Sequence, residues 1–525
     1  MERKIVAIIF GSILLFQASY CYSNDTMNGI VFEDSNRNLR MDPGEKGIPD
    51  ILVSNQIDVV ATDENGQYRL PVPGEEFIIF VVKSPHYSLP LNQNNLPQFY
   101  YIHQPQGSPK LKYAGIEPTG ALPEMVHFPL YPSRKTNRFK TIVFSDPQPG
   151  SHEQIHFIRD DVIAKLNGAD AEFGITLGDI TSDNLSFYNR YNEIVAQIGI
   201  PFYNVPGNHD MNYDVKDDQY SLETYKKHFG PPYYAFEYGM ISFIVLDSVT
   251  WYGKTDDREG YYIGKLGDKQ LQWIENYLNH VPAENLVVFL MHIPIHCTLE
   301  TGDSVRITDR EKLFDLVKKR NHLLALAGHM HIIDQVHLDR EVGWKSDVPF
   351  PHITCGAVSG SWWSGPKDER GIPCAMAHDG APNGYHIFHF TGNRFTQKFK
   401  AANEDDSYQM RITSPQGVIS KQEIHQKKII VNAFNADPTS IVEYQMDNAQ
   451  PRRMTNTAMI DPFIIDYHEK NKELMPDWVE PATATHIWIA PQPEFLSVGV
   501  HKLTIQVLNQ YGREYIQSAI FEIGE

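Results

Sequence analysis

Five short segments in the middle of the chain each end in residues that bind metal ions or transfer protons. They are residues 145–148 (SDPQ), 178–179 (GD), 207–210 (GNHD), 291–292 (MH) and 328–331 (GHMH). Four of them follow apolar runs typical of strands, at residues 141–144, 173–177, 286–290 and 323–327, and the fifth follows a shorter run at 201–206. Open α/β sheets build their sites at the carboxyl ends of strands. Carboxylate, imidazole and amide ligands suit two divalent cations better than one structural zinc, which predicts an enzyme acting at phosphorus.

These segments resemble the calcineurin-like metallophosphoesterase family. The family pattern reads Asp-x-His, Gly-Asp, Gly-Asn-His-Asp/Glu, His and Gly-His-x-His, and the blocks occur here in that order between Asp146 and His331. One position departs from the pattern, because Gln148 stands where most members have histidine. The resemblance implies a phosphoric ester hydrolase with an α/β (α+β) core of four layers, helix, sheet, sheet and helix.

The same resemblance implies two metal ions, drawn from manganese, iron and zinc, and one proton donor. Carried over residue by residue, one ion is held by Asp146, Gln148, Asp179 and His331, and the other by Asp179, Asn208, His292 and His329. The two ions would activate a bridging water as hydroxide and neutralise the phosphoryl oxygens. His209 would protonate the leaving group as general acid, and Asp210 would orient it.

Two positions near this centre leave alternatives open. The amide oxygen of Gln148 can coordinate a hard cation but is a poorer donor to zinc than imidazole, and we retain it as a ligand. Asp183 either supports the site or caps a helix predicted over residues 184–198, and we prefer the cap.

A loop over residues 356–384 is the best candidate for substrate selectivity. Its glycines flank Trp362 and Trp363 without strand alternation, so these rings could stack a sugar or base near the metals. Packing of both rings against the core is the alternative. His296, which follows His292 closely, is a further candidate for lining the pocket. We interpret the histidines at 152, 156, 386 and 389 as ordinary surface or core residues.

The chain is all-β on both sides of this region. Residues 24–130 alternate short apolar runs with turn residues and predict a transthyretin-like or immunoglobulin-like sandwich. Residues 131–402 alternate strands and helices and form the predicted catalytic domain. Residues 403–525 predict an immunoglobulin-like sandwich that ends in a hairpin. Because neither flanking module holds a cluster of acids, bases or ligands, both are expected to be dispensable for the chemical step.

The N-terminal module has oxygen ligands at the spacing of a calcium loop, namely Asp34, Asn36, Asn38, Asp42 and Glu45. Leu39 occupies the sixth position, where an EF-hand loop requires glycine, so an EF-hand is excluded. Bound calcium is one interpretation of this segment and a solvated hairpin end is the other.

The first 23 residues predict an export signal. Arg3 and Lys4 precede an apolar stretch over residues 5–16 that is too short to span a bilayer. We therefore expect a periplasmic or secreted protein without a transmembrane segment in the mature chain. Lipid attachment at Cys21 is the alternative, which Tyr20 disfavours.

Composition narrows the expected partners. The 525 residues are 42% hydrophobic and 12% aromatic, which is typical of a folded protein, and the formal net charge is −19. This charge argues against nucleic acid and hence against a metal-dependent nuclease. A phosphorylated small molecule, sugar, lipid or envelope component remains as substrate. Cys355 and Cys374 could pair, but the sequence does not establish it.

The motifs do not separate phosphomonoesters from phosphodiesters, nor do they indicate an oligomeric state. The alternative from another class is a surface binding protein that uses its sandwiches on an inactive scaffold. The presence of both His209 and Asp179 argues against that alternative.

Overall fold

The computed structural model describes residues 26–134, 136–493 and 496–525. The predicted export signal and Cys21 lie outside these residues. Within them, no helix has the length and apolar character needed to cross a membrane.

The N-terminal module consists of two four-stranded sheets, in the orders β4-β1-β8-β6 and β3-β2-β5-β7. Residues in β4 alternate between exposed and buried, as expected where one face of a sheet packs on the core. The prediction of an all-β module is confirmed, and its likeness to transthyretin or immunoglobulin domains stays a prediction. Its strands are β1 (Thr26–Glu33), β2 (Leu52–Ser54), β3 (Val59–Ala61), β4 (Gln67–Pro71), β5 (Phe77–Val81), β6 (Tyr87–Ser88), β7 (Tyr100–His103) and β8 (Phe128–Pro132).

In the predicted calcium loop, the oxygens are engaged in local hydrogen bonds. Asp34 accepts from the main-chain N–H groups of Asn38 and Leu39, and Asp42 accepts from the side-chain amides of Asn36 and Asn38. These contacts describe a closed polar turn, and calcium at this loop stays a prediction.

The central region alternates strands with helices. The strands are β9 (Arg138–Phe144), β10 (Phe173–Leu177), β11 (Phe202–Val205), β12 (Tyr234–Tyr238), β13 (Ile241–Val245), β14 (Val249–Tyr252), β15 (Tyr261–Gly264), β16 (Leu286–Leu290), β17 (Leu323–Ala327), β18 (Asp334–Leu338), β19 (Phe350–Thr354), β20 (Gly384–Thr391) and β21 (Arg394–Ala401). The helices are α1 (His152–Ile158), α2 (Ala164–Leu166), α3 (Tyr188–Val195), α4 (Glu223–Phe229), α5 (Gly267–Leu278) and α6 (Arg310–Val317).

Two large sheets form the centre of this region, in the orders β11-β10-β9-β20-β21 and β12-β13-β16-β17-β19-β18. Strands β9 to β11 are parallel, as are β13, β16, β17 and β19. Every residue of β10, β16 and β17 is buried, which requires cover on both faces of each sheet. The four-layer α/β core is therefore confirmed.

Aromatic side chains join the two sheets face to face. The ring of Phe173 on β10 lies 5.4 Å from that of Phe236 on β12 and 5.3 Å from that of Phe243 on β13. Both contacts are edge-on, a favourable arrangement for aromatic pairs. This packing brings the carboxyl ends of β9–β11 and of β16–β17 to one edge of the molecule.

The C-terminal module is again a pair of sheets, β22-β24-β30-β27 and β23-β32-β31-β25-β26, with a short pair β28-β29. The predicted closing hairpin is β31–β32. The elements are β22 (Arg411–Ser414), β23 (Gly417–Ser420), β24 (Lys428–Asn432), β25 (Ile441–Met446), β26 (Arg452–Arg453), β27 (Thr455–Asn456), β28 (Met459–Ile460), α7 (Pro462–Asn471), β29 (Thr483–Ala484), β30 (Ile487–Pro491), β31 (Gly499–Leu508) and β32 (Glu514–Gly524).

Helix α7 is absent from the sequence-based expectation of an all-β module. Asp461 caps it by accepting from the main-chain N–H of Phe463, and Pro462 occupies its first turn. Only Ile464 of this helix is buried, so its apolar periodicity is too weak to reveal it in the sequence.

The cysteines at 297, 355 and 374 are free. The bridge between Cys355 and Cys374 that the sequence left open is not formed. Cys355 lies at the end of β19, and its thiol is fully buried in the core of the central region.

Candidate metal centre and active site

The structure brings all seven predicted metal ligands together at one edge of the two sheets. Asp146, Gln148, Asp179 and Asn208 follow the parallel strands β9, β10 and β11, and His292, His329 and His331 follow β16 and β17. The two groups therefore meet across the space between the sheets.

Short distances between side chains define the centre. His292 Nε2 lies 3.3 Å from Asp179 Oδ1, 3.0 Å from Asn208 Oδ1 and 3.2 Å from His329 Nδ1. His331 Nε2 lies 3.7 Å from Asp146 Oδ1. Among the described residues, Asp179, His292 and His329 form a group whose ligand atoms all lie within 4.8 Å of one another, as a shared cation requires.

Main-chain carbonyls set the orientation of two of the imidazoles. His292 Nδ1 donates to the carbonyl of Leu177 at 2.8 Å, and His331 Nδ1 donates to the carbonyl of Gly360 at 2.5 Å. Such bonds fix the ring and turn Nε2 toward the centre, as in histidines that bind metals.

Gln148 has the geometry of a ligand. Its Nε2 donates to Asp179 Oδ2 at 3.0 Å, while its buried Oε1 has no hydrogen-bond partner among the described residues. A buried amide oxygen without a partner is costly, and a bound cation would satisfy it. The residues present therefore fit a metal ion. Gln148, which stands where most members of the family have histidine, would be one of its ligands.

Backbone strain is concentrated in the same residues. Five of the seven have positive φ angles, namely Asp146 (47°), Gln148 (42°), Asp179 (50°), His329 (74°) and His331 (51°). The left-handed conformation costs about 1–3 kcal/mol at a non-glycine residue and persists only where the surroundings impose it. The tight turns after β9, β10 and β17 therefore direct these side chains into the centre.

Two glycines of the motifs allow the turns to approach one another. A Cβ atom at Gly207 would collide with the carboxylate of Asp179, and one at Gly328 would collide with Ser145 and Asp146. The glycines of the GNHD and GHMH blocks are thus required by contact with the ligands of neighbouring strands.

Burial and mutual contact shift the pKa values of these groups. Burial raises the pKa of Asp146 to about 6, and it lowers those of His329 and His331 to about 3 each, so both imidazoles are neutral and able to coordinate. Burial opposes the charge on Asp179, but His292 and His209 hold its pKa below the ordinary range. The same negative environment that favours a proton on His292 also attracts a metal cation.

His209 lies beside the centre with its ring partly exposed. Its main-chain N–H donates to Asp179 Oδ1 at 2.9 Å, and its Nε2 lies 4.0 Å from Asp179 Oδ2. Its Nδ1 donates to Asp183 Oδ1 at 2.6 Å. The ring is therefore fixed with Nε2 on the side of the metal ligands.

The predicted partner of His209 was wrong. Asp210 is buried and accepts from the main-chain N–H groups of Gly207 and Ile180 and from the Tyr188 hydroxyl, so it supports the turn. Asp183 contacts the histidine instead. The helix cap that we preferred for Asp183 is provided one residue later by Asn184, whose side chain accepts from the N–H of Ser186.

The two tryptophans of the selectivity loop occupy different environments. Trp363 is buried, donates through Nε1 to the carbonyl of Pro147 at 2.9 Å and packs on Phe157. It therefore supports the turn that contains Gln148 and is not available to a substrate. Trp362 stacks on the ring of His331 at a centroid distance of 3.9 Å.

For His296, burial and the charge of Arg310 lower the pKa, while Asp334 opposes that shift, and its role in lining the pocket stays a prediction. Two residues near the centre escaped the sequence reasoning. The Tyr213 hydroxyl donates to the carbonyl of Asn208 at 2.6 Å, and Trp478 of the C-terminal module contacts Trp362. No local sequence pattern identifies either residue. The partner of Tyr213 is a main-chain carbonyl, and the partner of Trp478 is distant in sequence.

Three family models match the chain. They describe the N terminal of calcineurin-like phosphoesterase over residues 36–113, calcineurin-like phosphoesterase over residues 139–332, and the C terminal of calcineurin-like phosphoesterase over residues 352–515. The chain belongs to the calcineurin-like phosphoesterase family.

Two curated proteins are similar over parts of the chain. A probable glycerophosphodiester phosphodiesterase (GpdQ) of Arcobacter nitrofigilis is 31% identical over 161 residues, covering 30% of this chain and 55% of that protein. A probable cyclic nucleotide phosphodiesterase of Rhodococcus erythropolis is 28% identical over 72 residues, covering 14% of this chain and 24% of that protein. The chain thus spans about half the length of the first of these relatives and a quarter of the second.

Two solved structures resemble the fold more remotely. A dimetal phosphatase from Danio rerio has a TM-score of 0.36 at 15% identity, with 51% of this chain and 97% of that chain covered. The purple acid phosphatase PPD1 from yellow lupin has a TM-score of 0.35 at 14% identity, with 68% and 67% covered.

Proposed function

We propose that the protein is a metal-dependent phosphoesterase that binds two ions and hydrolyses a phosphate mono- or diester. The observation that carries the proposal is the convergence of seven ligand-type side chains at one sheet edge, with an oriented histidine beside them. The two curated relatives are named as phosphodiesterases, which favours a diester as the substrate.

The ligand set is larger than one tetrahedral ion needs. Asp146, Gln148 and His331 would hold one ion, Asn208, His292 and His329 the other, and Asp179 lies between the two groups. When bound, two such ions supply an activated water nucleophile at neutral pH and neutralise charge on the phosphoryl oxygens.

The chain's own contribution to proton transfer is His209. Because Nδ1 is engaged by Asp183, the proton that can reach a leaving oxygen is the one on Nε2. Asp183 positions the ring, and the hydrogen bond from the His209 main chain to Asp179 ties that position to the metal ligands.

We also propose that the protein acts in the periplasm or outside the cell, and the residues that support this are those of the predicted export signal at 1–23. A substrate in that compartment would be a phosphorylated small molecule, sugar, lipid or envelope component.

The test is hydrolysis by the purified protein of a panel of phosphate mono- and diesters with added manganese, iron or zinc, together with elemental analysis. We expect two ions per chain and metal-dependent turnover. Asp179→Ala should lose more metal and more activity than Gln148→Ala, because Asp179, unlike Gln148, would touch both ions. Asp170→Ala, an exposed carboxylate of the same domain, serves as the control.

Fewer than two ions per chain in active protein would contradict the dinuclear site. Equal losses in the two ligand variants would show that Asp179 does not bridge. Metal binding without hydrolysis of any ester would favour the alternative, a binding protein on an inactive scaffold.

A further inference from the structure

We propose that Trp478 of the C-terminal module and Trp362 of the catalytic domain form an aromatic wall beside the metal centre that binds a flat ring of the substrate. This inference rests on the proposed function and adds the substrate class to it. The ring is a nucleobase or the apolar face of a sugar, attached to the phosphoryl group that the metal centre holds.

Trp362 places the wall next to the metal ligands. Its ring stacks on His331 with centroids 3.9 Å apart and planes inclined by 22°. Its backbone has a φ of 54°, which a bulky side chain adopts only where its surroundings impose it. Trp362 thus shares a left-handed backbone conformation with five of the seven candidate ligands.

Trp478 extends this surface outward. Its ring lies 4.3 Å from that of Trp362 and meets it at 73°, and 60% of Trp478 remains exposed. A large exposed aromatic residue contributes little to the core, so its place at the rim of a centre needs another explanation. The ring of His378 also contacts Trp362, at a centroid distance of 5.1 Å.

The segment that carries Trp478 is fixed to the selectivity loop by hydrogen bonds on both sides of the residue. The N–H of Gly365 donates to the carbonyl of Leu474 at 3.0 Å. His378 Nδ1 donates to the carbonyl of Glu480 at 2.6 Å, and the N–H of Ala482 donates to the carbonyl of His378 at 2.9 Å. Trp478 is therefore held in place before a substrate arrives, which reduces the entropic cost of binding.

Aromatic walls of this kind bind ring systems through dispersion and stacking and tolerate variation in the ring. They offer nothing to a methyl or other small alkyl group. Trp362 stacks on His331, whereas the proposed proton donor His209 contacts Asp179 and Asp183. We therefore expect the flat ring on the part of the ester that is not the leaving group.

The experiment uses the metal-loaded full chain and three diesters that share p-nitrophenol as leaving group. The second ester group is methyl, thymidine or a hexose, so the chemistry of bond breaking stays the same. For Trp478→Ala we expect the preference for the thymidine or hexose ester over the methyl ester, as a ratio of kcat/KM, to fall about tenfold. Trp478→Phe should retain most of it.

Leu474→Ala is the matched control, because Leu474 is 56% exposed in the same segment. It should leave the ratio unchanged. Loss confined to the thymidine ester identifies a base as the ring, and loss with the hexose ester identifies a sugar. An unchanged ratio for both esters in Trp478→Ala would overturn the proposal while the hydrolytic function stands.

A second measurement does not require turnover. Calorimetric titration with phenylphosphonate and methylphosphonate should show tighter binding of the phenyl compound, and Trp478→Ala should remove that difference. If no ester is hydrolysed but the difference is present and depends on Trp478, the hydrolytic function fails and the aromatic wall stands. Equal binding of the two phosphonates to the unmodified protein would overturn the wall.

Discussion

His209 illustrates how single residues divide the work in this centre. Its Nδ1 is held by Asp183, its main chain is held by Asp179, and its Nε2 remains on the side of the metal ligands. In the proposed function, a proton donor in this position would act on the leaving oxygen, whereas the neighbouring ligands would act on the phosphoryl group.

Replacement of His209 by asparagine should therefore depend on the leaving group. An alkoxide needs a proton to depart and a nitrophenolate needs little help, so the loss should be about 10²–10⁴-fold on an alkyl ester and clearly smaller on a nitrophenyl ester. Metal content, measured in parallel, should stay unchanged. Equal losses on both esters with metals retained would mean that His209 binds phosphoryl oxygens, and loss of metal would mean that it supports a ligand.

Asp183 and Asp210 should behave differently when each is changed to asparagine. Asp183→Asn weakens the orientation of His209, so we expect a roughly 10-fold loss that is again larger on the alkyl ester, with little change in thermal stability. Asp210→Asn disturbs a buried carboxylate that accepts from two main-chain N–H groups and a tyrosine hydroxyl. It should lower the free energy of unfolding by about 1–3 kcal/mol. The reverse pattern would restore Asp210 as the partner of His209.

The sequence predicts the positions of the candidate ligands better than those of their neighbours. Ligands are recognisable because each follows a buried strand within a short motif, and strands β10, β16 and β17 have the predicted boundaries. Asp183 was misread because a carboxylate before a helix is usually a cap, and only the side-chain geometry shows that Asn184 has taken that role. For Trp362 and Trp363 the sequence left substrate stacking and core packing open, because one residue decides which of two adjacent rings faces the core.

At the scale of elements, contact between the N-terminal module and the central sheet is made partly by a buried lysine. The main chain of Lys83 forms a parallel β-bridge with Phe236 on β12. Its Nζ donates to the carbonyl of Glu237 at 2.9 Å and lies 3.6 Å from the ring centre of Tyr238. Burial nevertheless lowers the pKa of Lys83 to about 7, although Glu237 and Glu172 oppose that shift.

This lysine should make stability depend on pH in the neutral to alkaline range. The unfolded chain keeps the proton of Lys83 up to about pH 10, while the folded chain releases it near pH 7. The contribution of Lys83 to the free energy of unfolding is therefore lowest below pH 7, and it rises with pH between about pH 7 and pH 10. Between pH 7 and 9, the free energy of unfolding of the unmodified protein should rise by about 2 kcal/mol relative to Lys83→Met.

Chemical denaturation of both proteins at several pH values measures this difference, and Lys110→Met, a change at an exposed lysine of the same module, is the control. A constant difference between the unmodified protein and Lys83→Met would show that the lysine stays charged in the fold.

At the scale of the whole molecule, the modules are less independent than their sequence patterns suggest. Buried residues from the N-terminal strands and from the central sheets belong to one continuous hydrophobic cluster. Trp273 of α5 lies at this junction, where its ring contacts Phe80 and its Nε1 donates to Ser54 Oγ at 3.1 Å. The sequence predicts each module from local periodicity, but contacts between modules leave no periodic signal.

The C-terminal module is joined to the catalytic domain by polar contacts. Asp379 of the selectivity loop accepts from His486 at 3.0 Å, and its carbonyl accepts from the side chain of Asn432 at 3.0 Å. The loop that carries Trp362 is therefore shaped by both domains. The conformation of this loop thus depends on residues outside 131–402.

These contacts bear on folding, and the expectation that the flanking modules are dispensable for the chemical step stays a prediction. A fragment of residues 131–402 would expose the buried faces that Phe80 and its neighbours cover, so we expect it to lack cooperative unfolding and to aggregate.

Trp273→Ala in the full chain tests the same junction without truncation, and it should lower the free energy of unfolding by about 3–5 kcal/mol. Leu39→Ala, at an exposed residue of the N-terminal module, should have little effect. Denaturant titration measures both variants. A folded, metal-loaded fragment with full activity on a nitrophenyl ester would show instead that the shared core is not needed for catalysis.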